Sequence, residues 1–422
     1  MNPATGETPI QAAARAARAA SHAVAILPAE TKDAVLRGLA DRIAANAGEI
    51  LAANAEDVAA ARAAGVATPK LRRLELSDES LAQVSEGLRQ IAAMPDPVGA
   101  VTRSWRTADG LEVEKRRTPL GVIAMIYEAR PAVTIDAFAL CFKAGNACLL
   151  KGGREAARSN AALAGLARAS LEAHACPADA ITAITTSDRD EIKRLLAMDD
   201  CIDLVIPRGG KTLIRFVAEN SSIPTVQHYH GVCHIYVDRA ADLERALDVV
   251  VTAKVSAPAT CNALECVLVH EAVAPAFVPE LAESCADAGI EIRASERLRA
   301  HAPAADLVAA SVEDFGHEFL DLVLAADTTP SIDAAIEHIR RHGSSHTDAI
   351  LTEDAGAAER FAREVSSSCV LVNASTRFND GFSLGLGAEI GISTQRVHAF
   401  GPMGLEQLTI ERFVARGEHH TR

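Results

Sequence analysis

Two hydrophobic rhythms divide the chain. From about residue 9 to 94, Ala, Leu and Arg recur at three- and four-residue spacing, which predicts a run of amphipathic helices. "SLAQ" at Ser80–Gln83 has the form of a capping box, and "MPDP" at 94–97 ends the run. "AVTRSWRTADGLEVEKRR" follows, with alternating stretches on either side of Asp109-Gly110, a hairpin signal. Two strands bury too little surface to be stable alone. The hairpin is therefore expected to lie on a neighbouring subunit or on the body of the protein.

From Pro119 the rhythm changes. Short, continuously apolar runs ("LGVIAMIY", "ACLLKGG", "AITAITT", "CIDLVIPR") alternate with helical stretches. Strands of that kind are buried on both faces, as in a parallel, doubly wound sheet. The alternation starts again near residue 235 with "CHIYVD", "ALECVLVH", "FLDLVLAAD" and "DAILT", each leading to a helical pattern, and closes on "CVLVNAS". The tail from Arg377 is Gly-rich and reads as a substrate loop followed by an edge segment. The expected fold class is α/β, with two doubly wound α/β domains and a small β-element.

Composition narrows the function. At 422 residues the chain suffices for two or three domains and for a core that needs no disulfide or structural metal. Its 42 Lys and Arg against 56 Asp and Glu give a formal charge of −14, which argues against nucleic acid or an anionic membrane as partner. The nine cysteines are scattered, with no CxxC pair; they fit a reducing cytoplasm and predict neither a zinc site nor a dithiol. No apolar stretch approaches the length of a membrane span. The Ala/Arg-rich stretch at 11–30 has a transit-peptide flavour, but its alanines fall on a helix and Glu7 and Glu30 flank it. A cytoplasmic location is expected.

Cations gather at three predicted strand ends. In "IDLVIPRGGKTLIRFVAEN", Arg208, Gly209, Gly210 and Lys211 join a strand to a helix. Glycines let a phosphate approach the backbone, and the helix start offers N–H groups; an ordinary tight turn is the alternative. In "LLKGGREAARSN", Lys151, Gly152 and Arg154 lie just past a strand's carboxyl end, where ligands bind in open α/β sheets. Two cations there suit the ribose 2′-phosphate of NADP better than a bare ribose; a solvated basic turn is the alternative. Arg130 in "YEARPAV" is kept out of the next helix by Pro131, free to fork onto a phosphate or carboxylate or to pair with Glu128.

Cys266 falls inside the alternating strand "LECVLVH" and reads as core. Cys261 in "KVSAPATCNALE" precedes that strand on a turn, where backbone N–H groups can lower a thiol pKa and later hold an oxyanion. Read alone, it is either a nucleophile or a structural cysteine. His228, His230 and His234 in "QHYHGVCH" have no further ligand at familiar spacing, so no metal is expected.

Taken together, "TPLGVIAMIYEARPAVTIDAFALCFKAGNACLLKGGREA", "IPRGGKTLIRFV", "GVCHIYVD", "KVSAPATCNALE", "EFLDL" and "VNASTRF…LGLGAEIGISTQRVHAFGPMGLEQLT" closely resemble the gamma-glutamyl phosphate reductase family, within the aldehyde dehydrogenase superfamily. The resemblance runs in order from about Pro119 to Ile410. It implies a catalytic cysteine at Cys261, a cofactor-ribose glutamate at Glu318 and a pyrophosphate turn at Gly209 and Gly210. It implies a cofactor domain over 1–99 and 119–235, a catalytic domain over 236–376, and an oligomerisation arm and tail over 100–118 and 390–422. Two departures stand out. The oxyanion asparagine of aldehyde-oxidising relatives aligns with Ala129, and their water-activating glutamate falls near Gln227 or His228. A reductive cycle from an acyl phosphate needs no base for water.

The expected function is NADPH-dependent reduction of glutamate 5-phosphate to glutamate 5-semialdehyde, a step of proline biosynthesis, through a Cys261 thioester. Arg130 is expected to grip the phosphate, and Asn373, Ser375 and Arg377 in "NASTRF" to hold the substrate's α-carboxylate and amine. The expected assembly is a homodimer or homotetramer, with transient contact to the kinase that makes the acyl phosphate. The rivals are an NAD-dependent oxidising aldehyde dehydrogenase and a non-catalytic protein that keeps the fold.

Overall fold

The computed structural model describes residues 7–226 and 230–421. Two compact units divide the chain, Met1–Gln227 with Leu386–Gly391 and Met403–Arg422, and His228–Gly385 with Ile392–Pro402. Among the described residues, no helix is long and apolar enough to cross a membrane.

The first unit begins with five helices, Pro9–Val24, Ala29–Ala45, Ala47–Ala63, Thr68–Leu74 and Asp78–Ala93. The N-cap of the last of these lies three residues before the start of the capping box read from the sequence. Ser77 caps it, its side chain accepting from the Ser80 N–H at 3.1 Å, while the Ser80 hydroxyl accepts from the Ser77 N–H at 2.8 Å. Asp78 and Glu79 in its first turn suit the positive end of the helix dipole. Strands β1 (Val101–Arg106) and β2 (Glu112–Pro119) form the hairpin around Asp109-Gly110, where Gly110 takes a φ of 94°. Strands β3 (Val122–Tyr127), β4 (Ala147–Lys151), β5 (Ile181–Ala183) and β6 (Leu204–Arg208) build a parallel sheet of order β5-β4-β3-β6. All of β3 is buried, as its unbroken apolar run requires.

The second unit holds a seven-stranded parallel sheet. Its strands are β7 (Cys233–Val237), β8 (Leu264–His270), β9 (Glu291–Ala294), β10 (Val308–Ala309), β11 (Val323–Thr329), β12 (Thr347–Leu351) and β13 (Cys369–Val372), in the order β10-β9-β11-β8-β7-β12-β13. One face packs Ile235, Val267 and Ala326 under the helices Leu243–Val255 and Ala274–Asp287. The other packs Tyr236, Leu268 and Ile350 under Ile332–His342 and Ala355–Glu364.

The tail divides between the units. Strands β14 (Ile392–Ser393) and β15 (Gly401–Pro402) pair within the second unit. Strand β16 (Thr409–Arg416) adds to β2 in the first, so the hairpin becomes a three-stranded antiparallel sheet, β1-β2-β16.

Candidate active site

Burial sorts the nine cysteines. Seven are buried, and only Cys261 and Cys369 are half-buried. Burial pushes the Cys369 thiol up to about 11 and the Cys266 thiol well above its ordinary value. Cys261 stands on the turn between the helix Leu243–Val255 and β8. Thr260 shapes that turn by donating its hydroxyl to the Ala257 carbonyl at 2.8 Å.

Residues far along the chain hold the turn. Arg377 donates Nη1 to the Thr260 hydroxyl at 2.8 Å and to the Asn262 side-chain oxygen. Asn262 answers by donating Nδ2 to the backbone carbonyls of Arg377 at 3.3 Å and Asn379 at 3.1 Å. Both residues that flank the thiol are thus tied to the 377–379 segment. On the other side, Gly231 lies against the Cys261 backbone so closely that a Cβ there would sit 2.0 Å from the Cys261 carbonyl oxygen. Cys233 donates its thiol to that same oxygen at 3.3 Å.

The Gly231 N–H donates to Glu318 Oε1 at 2.8 Å. Glu318 is therefore one residue removed from the Cys261 backbone. Its own segment is anchored by Glu265, which accepts from the Leu320 N–H at 3.3 Å and pairs with Lys254 at 2.7 Å. Lys254 and Glu265 are fully buried. Burial raises the Glu265 carboxyl to about 7 and lowers the Lys254 ammonium.

The expected substrate residues are not all brought to the thiol. Cys261, Gly231 and Glu318 lie at the amino edge of the seven-stranded sheet, just before β8, β7 and β11. Asn373 lies past the carboxyl end of β13, its side chain accepting from the Thr352 N–H and donating to the Thr352 carbonyl, both at 2.8 Å. The five residues of β12 separate those edges by roughly 15 Å. Asn373 is a latch between strand ends, and its place in the substrate set is withdrawn. Ser375 accepts from the Arg377 N–H at 3.3 Å and shapes the return of the chain toward Cys261. Gln227 and His228 lie outside the described residues.

In the first unit, β3 lies between β4 and β6, so the carboxyl ends of all three are adjacent. Arg130 is exposed after β3, and Lys151 and Arg208 close β4 and β6. Gly152 admits no side chain, since a Cβ would lie 2.0 Å from Asn160 Nδ2. At Gly209 a Cβ would meet Glu128 and Leu213 at 2.8 Å. Gly210 opens the helix Lys211–Asn220, and Arg154 and Lys211 are exposed beside these turns. Burial lowers the Lys151 pKa, with Glu155 opposing.

A glycine-opened helix start ringed by cations fits the phosphates of a nicotinamide dinucleotide. Sequence reasoning missed one residue here. Glu128 places Oε1 3.4 Å from the Gly210 N–H, so a carboxylate faces the helix start that a phosphate would use. Buried Ala129 offers no side-chain donor in place of the aligned asparagine.

One unit carries a half-buried cysteine on a pinned turn, and the other carries a parallel sheet with cations at its carboxyl ends; a thiol-dependent dehydrogenase needs both parts. The chain belongs to the aldehyde dehydrogenase family, whose model matches residues 2–298. Within that family it is similar to gamma-glutamyl phosphate reductases. It is 51% identical over 414 residues to the one from Anaeromyxobacter sp. (strain Fw109-5), covering 97% of this chain and 96% of the relative. It is 48% identical over 405 residues to the one from Xanthomonas axonopodis pv. citri, covering 96% and 97%. The crystal structure of the gamma-glutamyl phosphate reductase of Thermotoga maritima matches with a TM-score of 0.96 at 39% identity, over 98% of this chain and 100% of that one. An acetylating aldehyde dehydrogenase from Geobacillus thermoglucosidasius shares the fold at a TM-score of 0.67 and 17% identity, over 98% and 97%.

Proposed function

We propose that this chain reduces glutamate 5-phosphate to glutamate 5-semialdehyde and phosphate, a step of proline biosynthesis, with NADPH as reductant. The observation that carries the reading is the likeness to gamma-glutamyl phosphate reductases at half identity over nearly the whole chain. The pair of cations at Lys151 and Arg154 supports NADPH over NADH, because a 2′-phosphate adds negative charge where they stand.

Cys261 is the nucleophile in this reading. Its thiolate attacks the acyl carbon of the substrate, the bond from that carbon to the phosphate oxygen breaks, and a thioester remains on the enzyme. The Cys261 N–H is the oxyanion donor, since Ala129 supplies none. Arg130 grips the departing phosphate. A reduced nicotinamide, held through its phosphates by the Gly209–Gly210 turn, Lys151 and Arg154, would supply the two electrons as hydride for the thioester carbon. The carbon–sulfur bond then breaks, and the aldehyde leaves with the Cys261 thiolate restored. Arg377 and Ser375 hold the turn, and Glu318, bonded to Gly231, holds it from the other side.

The acyl phosphate is labile, so the reverse reaction is the practical assay: semialdehyde, phosphate and NADP⁺, read at the nicotinamide absorbance. Activity that requires phosphate and falls by about 10³-fold or more in Cys261→Ser is expected. Phosphate-independent oxidation identifies a hydrolytic dehydrogenase instead, and full activity in Cys261→Ser removes the thiol from the chemistry.

A further inference from the structure

We propose that His234, Cys266 and His338 form a binding site for a zinc-class divalent cation in the core of the second unit. Strand register brings the first two together: on neighbouring strands His234 pairs with Cys266, and Asp348 pairs with His234. Asp348, His234 and Cys266 therefore form one row across a single face of the sheet. The helix Ile332–His342 covers that face and supplies His338, whose Nε2 is 3.8 Å from Cys266 Sγ. One ligand atom from each of the three residues lies within 4.8 Å of the other two.

The donor set is prepared for a cation. His234 is completely buried, and its Nδ1 is 2.9 Å from Asp348 Oδ1. Asp348, equally buried, also accepts from the Ser367 hydroxyl. A carboxylate that accepts from Nδ1–H keeps the ring proton on Nδ1 and leaves Nε2 as a lone pair, the pattern of a histidine backed by a carboxylate and facing a metal. Among the described residues that buried Nε2 has no hydrogen-bond partner, so it stands ready to accept a ligand.

The geometry suits zinc. Bond lengths of about 2.3 Å to sulfur and 2.0–2.1 Å to imidazole nitrogen in a tetrahedral site put a sulfur and a nitrogen about 3.5 Å apart. The 3.8 Å between Cys266 and His338 needs little closure. Two imidazoles and a thiolate are nitrogen and sulfur donors, unsuited to calcium and magnesium, which take oxygen ligands. Binding exchanges the Cys266 thiol proton, released to solvent, for the metal–sulfur bond. His342, one turn along the same helix and half-buried, has its ring centroid 4.7 Å from that of His338. The ion clasps β7, β8 and their covering helix, and it is separate from Cys261.

The sequence hid this site because Cys266 and His338 lie 72 residues apart, so no ligand spacing exists to be read. The test uses the full chain loaded with zinc chloride, gel-filtered and analysed for metal, and a parallel sample loaded with Co²⁺. About one zinc per chain and a thiolate-to-cobalt charge-transfer band are expected, kept in Cys261→Ser and lost in Cys266→Ser. His338→Gln, which keeps the strand intact, is expected to weaken zinc binding by at least about 10-fold. Less than about 0.1 zinc per chain in the unmodified protein overturns the proposal. So does a cobalt band that survives Cys266→Ser or vanishes in Cys261→Ser. Circular dichroism checks folding, and if Cys266→Ser does not fold, His338→Gln decides.

Discussion

Arg377 shows how one side chain changes role when its partners are known. Its charge and loop position point to a substrate carboxylate, yet its guanidinium is bonded to Thr260 and Asn262 on either side of the thiol. A group that positions a nucleophile changes kcat more than KM, because a shift of about 1 Å at the reacting atom costs about 10²-fold. Steady-state kinetics of Arg377→Ala are expected to show that loss in kcat with the substrate KM nearly unchanged; a raised KM at constant kcat returns Arg377 to the substrate. Glu128 carries an opposite expectation. Its carboxylate faces the start of the helix Lys211–Asn220 and competes with a phosphate for the same N–H groups. Glu128→Gln is expected to lower the KM for NADPH by about two- to fivefold in titrations at low ionic strength.

At the scale of elements, the helix Leu243–Val255 and β8 are joined by the Lys254–Glu265 pair. Replacing one partner leaves the other charge buried alone, so Lys254→Met is expected to cost about 3–5 kcal/mol in denaturant unfolding. The pair also sets a pH dependence. Burial raises the folded Glu265 carboxyl from 4.5 to about 7, so the folded state binds a proton that the unfolded state has released. Stability is therefore lost as pH rises between those values, by up to about 3 kcal/mol. Unfolding free energies of the unmodified protein and Glu265→Gln, measured from pH 4.5 to 7, are expected to converge or cross as the unmodified protein loses this contribution. Parallel curves remove Glu265 as the source.

For the whole molecule, the sheet β1-β2-β16 leaves Phe413 and Ile410 exposed, with Trp105 meeting Phe413 edge-on at 6.1 Å between ring centroids. Exposed apolar side chains on a thin sheet mark interaction surfaces in general, and the expected homo-oligomer would cover them here. Phe413→Asp is expected to shift the protein to a smaller species in sedimentation velocity while circular dichroism is unchanged. An unaltered size places the subunit contact elsewhere. The two α/β rhythms, the hairpin at Asp109-Gly110 and the turn carrying Cys261 were all determined by the sequence alone, because each depends on neighbours within a few residues. A continuously apolar strand must be buried, and Asp-Gly between alternating stretches must turn. Tertiary structure alone decided that Asn373 lies at the opposite sheet edge from Cys261, that Gly231 joins Glu318 to the thiol's backbone, and that His338 meets Cys266. Those contacts depend on strand order and register, which bring together residues tens of positions apart and leave no local period to read.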